Sequence, residues 1–149
     1  MTATKVTDIK SFMNLLFADT AFDSFFFVEG DINVAIDYHL DGRVNMNFFT
    51  EEELENLRME EFISWKDIKD NVRYIIRGKR LPVSLKLVLK KPGAGDITYI
   101  LNIRFDNNSL MLITGVSHTV FTTDRTGEKE WDDNMCSFLK KHGIEYEIL

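Results

Sequence analysis

Cysteine occurs once, as Cys136, and that scarcity removes two classes of architecture. A disulfide framework needs pairs and a structural zinc site needs several thiolates, so neither can be built, and a reducing compartment is the expected setting. Long apolar runs are missing too: no stretch reaches the roughly 18 residues that a spanning helix needs. Residues Met1 to Lys10 (MTATKVTDIK) carry no apolar core of the kind found in secretory signals. The chain is therefore expected in the cytoplasm, without a membrane partner. Internal repeats, linkers and low-complexity segments are absent as well. What remains is 149 residues with 44% hydrophobic and 28% charged side chains. That composition describes one globular domain spanning residues 1–149 rather than a disordered or fibrous chain.

The net charge of −6 conceals an uneven distribution. Residues 28 to 63 hold ten acids against Arg43 and Arg58, and residues 64 to 91 hold nine bases against Asp67 and Asp70. An acidic total thus leaves room for a polyanion partner or an acidic protein surface, and for pairing between copies in a homo-oligomer.

Periodicity predicts an α+β fold, a mainly antiparallel sheet of about six strands with helices on one face and a C-terminal helix and short strand added. Met1 to Val6 reads as a short leading strand. Thr7 is expected to cap a first helix with Ile9, Phe12, Met13, Leu16 and Phe17 on one face. A Phe-rich β-type run, Phe22 to Val28, precedes an alternating strand from Ile32 to Leu40, and Val44, Met46 and Phe48 alternate in the next. Parity favours a three-residue Leu40-Asp41-Gly42 loop, with Gly42 left-handed and Tyr38 opposite Val44, because that register buries both apolar sets together.

Thr50 and Glu53 form a capping-box pattern for a short helix over Glu51 to Asn56, followed by a looser acidic stretch. Ser64 caps a longer helix with Trp65, Ile68, Val72, Ile75 and Ile76 on one face, stopped by Gly78. A meander follows: a strand from Val83 opened by Pro82, a second from Ile97 to Phe105, and a third from Leu110 to Phe121 with a bulge or bend at Gly115. Turns at Pro92 to Asp96 and at Asp106 to Asn108 join them. Trp131, Met135, Phe138 and Leu139 mark the last helix, ended by Gly143, before Ile144, Tyr146 and Ile148 alternate in a final strand.

Signals for catalysis are sparse. His39, His118 and His142 form no HxH or HxxxH pair, and Cys136 has no partner at ligand spacing, so no metal site and no cofactor are expected. Cys136 and His142 would lie about 120° apart on a helix, which disfavours a local dyad. Gly93-Ala94-Gly95 sits between strands, with no helix after it to receive a phosphate. Asp106-Asn107-Asn108-Ser109 begins like a calcium loop but lacks its glycine and closing glutamate. Asp132-Asp133 and Glu51 to Glu53 read as first-turn acids that favour a helix dipole. An enzyme would need distant groups such as His39, His118 and the strand carboxylates to converge.

One feature stands out. Lys66, Lys69, Arg73 and Arg77 fall at i, i+3, i+7 and i+11 on the Ser64-capped helix, and Lys79 and Arg80 extend the series. Such a stripe is ordinarily a solvated face, with Asp67 and Asp70 breaking up the field. Read as a site, it would contact nucleic-acid backbone without reading bases. The expectation is a non-enzymatic binding module for nucleic acid or another polyanion. The alternative is a self-assembly module that pairs the acidic and basic blocks.

The order of elements over residues 1 to 121, strand, helix, strands, helix and meander, resembles one domain of a DNA sliding clamp. That resemblance implies helices lining a basic channel, with Lys10 and Asn14 on the first and Lys66, Lys69, Arg73 and Arg77 on the second. The whole chain also looks like a family of small cytoplasmic bacterial proteins with a domain of unknown function, from which no activity carries over.

Overall fold

Alternating apolar residues need a partner on each side, and five of the strands obtain one on both. The structure, a computed structural model, describes residues 2–57 and 61–149. Among these residues the fold is α+β, a seven-stranded antiparallel sheet with four helices. The strands are β1 (Ala3–Val6), β2 (Phe26–Asn33), β3 (Asp37–Asp41), β4 (Ser84–Pro92), β5 (Ile97–Asp106), β6 (Ser109–His118) and β7 (Tyr146–Ile148). The helices are α1 (Ile9–Phe17), α2 (Glu51–Asn56), α3 (Trp65–Ile76) and α4 (Thr126–Lys141). Across the sheet the order is β3-β2-β4-β5-β6-β1-β7. The leading strand expected at Met1 to Val6 is β1, with Met1 outside the described residues, as are residues 58–60 of the acidic stretch after α2.

One face of the sheet carries the core. Leu85, Leu87 and Leu89 of β4, Leu101, Ile103 and Phe105 of β5, and Leu110 and Leu112 of β6 are buried there with Phe12 and Leu16 of α1, Trp65 and Val72 of α3, and Trp131, Met135 and Leu139 of α4. The other face shows Lys86, Val88, Arg104, Met111 and Ile113 half-buried or exposed. Helices on one side of an antiparallel sheet, with the second side facing water, make this clean alternation the expected pattern.

Several local expectations are corrected. The hairpin joining β2 and β3 turns at Val34 to Ile36, where the Val34 amide donates to the Ile36 carbonyl at 3.1 Å, and Tyr38 opposes Ile32 rather than Val44. A three-residue turn pairs residues of equal parity, so the alternation from Ile32 to Leu40 runs through it without a change of phase. Ile36, at the tip, is 62% exposed. The run from Val44 to Phe48 is not a strand; only an isolated bridge from Arg43 to Phe62 stands beside it. The element order that resembled a clamp domain is interrupted there.

Gly42 is not left-handed, and its role is a close backbone approach. The bulge expected at Gly115 is also absent, since β5 and β6 pair without interruption from Ile97 with His118 to Asp106 with Ser109. The irregularity lies instead between Phe27 and Glu29 of β2, where the extra residue Val28 moves the inward face from Phe27 to Gly30 and Ile32. β6 ends at His118, so Val120 and Phe121 lie beyond it and are exposed.

At the helix ends, Asp8 rather than Thr7 caps α1, its carboxylate accepting from the Ser11 amide at 3.2 Å. Thr50 and Glu53 form the expected capping box, Ser64 caps α3, and Gly143 follows α4 at φ +68°. Gly78 supplies no left-handed stop; α3 ends where Arg77 turns extended. α4 starts at Thr126, which moves Asp132 and Asp133 out of the first turn, and Asp132 instead accepts from the Thr114 hydroxyl. Asp124 serves that helix start: the Thr126 hydroxyl and then the Thr126 amide hold its carboxyl below the ordinary range.

Candidate functional site

α1 and α3 pack on the same sheet face, and a groove runs where they meet the end of α4. Its volume is about 880 Å³, and its apolar floor includes Met13, Phe17, Ile76 and Ile144. Lys10 and Asn14 reach it from α1, Arg73 and Arg77 from α3, and His142 from the C-cap of α4. Asp19 is the one carboxylate among its described lining residues. Burial of Phe12 and Leu16 on one side of α1 and of Trp65 and Val72 on one side of α3 leaves these polar side chains at the rim.

The stripe read from spacing divides into three parts. Arg73 and Arg77 line the groove, and both are exposed. Arg77 is the C-cap, outside the helical repeat, with its guanidinium 4.4 Å over the Tyr74 ring. Lys69 departs from the expected free cation: its ammonium donates to the Asp19 carbonyl at 2.9 Å and to the Asp23 carboxylate at 2.7 Å, and its side chain is only 13% exposed. The reason is its position, four residues after buried Trp65 and three before buried Val72, which puts it on the flank of the apolar face. Lys69 ties the loop after α1 to α3. Lys66, Lys79 and Arg80 are exposed but do not line the groove.

The histidines do not converge. His39 on edge strand β3 and His118 at the end of β6 are four strand positions apart, a lateral separation of about 19 Å. Each has its own carboxylate: Nδ1 of His39 lies 2.5 Å from Asp31, and Nδ1 of His118 lies 3.8 Å from Asp96. Among the described residues no group of three or more His, Cys, Asp or Glu side chains could hold a metal ion. Nor is any helix among them long and apolar enough to cross a membrane.

The hydrogen bond that His39 donates to the Asp31 carboxylate, then the charge of Asp31, raises the His39 pKa above the ordinary 6.5, with smaller support from Glu29 and Asp41. A raised folded-state value means that this contribution to stability is complete below pH 6.5 and fades as pH rises through the folded pKa. By NMR titration His39 should therefore titrate above 6.5, and Asp31→Asn should return it toward that value. An unchanged midpoint in the variant would contradict the assignment.

Lys10 and Asn14 were legible only through the clamp-like order of elements, and His142 carried no signal as a groove residue. It reaches the groove because α4 ends beside α1, a tertiary fact with no local spacing to announce it. Neither curated proteins nor solved structures give a match to this chain. The sequence model of DUF5721 matches residues 15–96 and 94–147, most of the chain, including α3, the meander and α4. On that coverage the chain belongs to DUF5721, a family of unknown function.

Proposed function

We propose that this protein is a non-enzymatic binding module that seats a polyanion, with nucleic-acid backbone as the ligand its chemistry fits best, in the groove between α1 and α3. The observation that carries the reading is the meeting of Lys10, Arg73 and Arg77, from two separate helices, in one groove. Two arginines suit phosphate oxygens because each guanidinium offers a planar fork of donors. Lys66, Lys79 and Arg80 would add charge around the groove without entering it. Cations that meet phosphates and no base edges give sequence-independent, salt-sensitive binding.

Fluorescence anisotropy with a random duplex and a random single strand, at two salt concentrations, tests this. Arg73→Ala combined with Arg77→Ala should weaken binding on all sequences alike and flatten the salt slope by about two units. Lys10→Ala should remove about one more. Lys69→Ala should act differently, lowering stability through its lost tether to Asp23. No binding at low salt would refute the proposal. If the double arginine variant instead shifts the protein to a smaller species by light scattering, the basic face serves self-assembly against the acidic block.

A further inference from the structure

A second cavity lies on the other side of α3. The chain leaves the sheet edge after β3 at Gly42 and returns at Ile63. The neck of this excursion is closed by the Arg43 to Phe62 bridge, by the Val44 amide donating to the Glu61 carbonyl at 2.9 Å, and by the Ile63 amide donating to the Gly42 carbonyl at 2.9 Å. Its described head carries Val44, Met46, Phe48, Phe49, Leu54 and Leu57, none of them buried, and α2 within it buries no residue. Phe48, packed edge-on to Phe49, is 78% exposed. Facing this flap, α3 presents Ile68 and Ile75, both half-buried, and β3 presents Leu40. Between the two apolar surfaces is a space of about 620 Å³.

Six apolar side chains on a tethered flap would ordinarily collapse onto an apolar helix face, because each Å² removed from water contributes about 25 cal/mol. Here Val44, Phe48, Phe49 and Leu57 arch over a cavity in the size range of small-molecule sites, mostly apolar with a few polar groups at the rim. The rim selects against an anionic head: Arg43 is offset by Asp41 and Asp67, His39 is already paired with Asp31 at 2.5 Å, and Asn45 and Asn71 are neutral. The groove on the far side of α3, with Lys10, Arg73 and Arg77, has the opposite character.

We infer that the cavity between α3 and the residue 42–57 flap binds an uncharged small molecule with an alkyl or aromatic body and a hydrogen-bonding head such as an alcohol or amide, the flap being its lid. Titration of the full chain with the neutral probe Nile red should give saturable one-to-one binding with blue-shifted emission. Val44→Trp, which fills the cavity from the flap, and Phe48→Ala, which thins the lid at an exposed position, should each weaken binding by about tenfold or more. Phe121→Ala, at a side chain 92% exposed outside the cavity, should leave it unchanged.

Dodecanol and dodecanamide should displace the probe at least about tenfold better than dodecanoate, which would bring an uncompensated charge to the rim. Arg73→Ala with Arg77→Ala should not alter probe binding, so failure here and failure of the polyanion reading are separate results. Non-saturable binding, an equal loss in Phe121→Ala, wild-type binding in a cooperatively folded Val44→Trp, or equal displacement by dodecanoate would overturn the inference.

Discussion

Replacing Trp65 by alanine is expected to remove about 3–5 kcal/mol of stability, a large share of the roughly 5–15 kcal/mol that a domain of this size possesses. Trp65 is fully buried at the start of α3, with its ring 5.5 Å from Phe17 and 5.9 Å from Phe27, so it joins α1, α3 and β2. Its indole N–H donates to the Leu16 carbonyl at 2.9 Å. Leu16 lies in the last turn of α1, where carbonyls lack a partner within the helix, so the indole also closes that helix end. Trp65→Phe should keep most of the packing and lose the donor, at about 1–3 kcal/mol. Urea unfolding followed by far-ultraviolet circular dichroism checks both values. A loss under about 1.5 kcal/mol for alanine would show that the site collapses more fully than buried aromatic positions usually do.

How much of this was legible beforehand depended on whether a structural event changed the phase of the hydrophobic pattern. The turn between β5 and β6 does: Asn107 and Asn108 both have positive φ, a two-residue turn opposes Phe105 to Leu110, and the switch from odd to even apolar positions is visible in the sequence. The turn at Val34 to Ile36 preserves phase, and one long strand was the natural reading. The start of α4 was hidden for another reason. Thr126 to Glu130 contains no apolar residue to mark a face, and the helix becomes periodic only at Trp131.

The same limits govern the candidate site. Spacing on α3 identified Arg73 and Arg77 as neighbours, and helical geometry is enough for that. It could not say that Lys69 would be drawn to Asp23, because the loop after α1 reaches α3 only through the packing of Phe12, Leu16 and Trp65. The flap over Ile68 and Ile75 was invisible for a related cause: Val44, Met46 and Phe48 alternate as a strand would, while no neighbouring strand is in place to pair with them.

Gly42→Ala is expected to cost about 2–4 kcal/mol, through overpacking against backbone and the loss of two or three hydrogen bonds. A Cβ at this position would lie 1.9 Å from the Phe27 carbonyl oxygen and 2.8 Å from that of Val28, and neither can rotate away as a side chain would. Relief requires moving the strand end off β2. That breaks the bond from the Gly42 amide to the Val28 carbonyl at 2.9 Å and strains the Ile63 amide on Gly42 and the Phe27 amide on Ile63, at 2.9 and 2.8 Å. The neck of the flap would open while β4, β5 and β6, on the other side of β2, stayed paired with one another. Hydrogen exchange should thus accelerate first at Phe27, Gly42 and Ile63. Gly78→Ala is the matched control: nothing lies within 4 Å of its added carbon and its φ is not positive, so it should be neutral or stabilising by up to about 1 kcal/mol. A Gly42→Ala protein within about 0.5 kcal/mol of the parent, the range of ordinary surface changes, would show that the chain does not approach β2 this closely in solution.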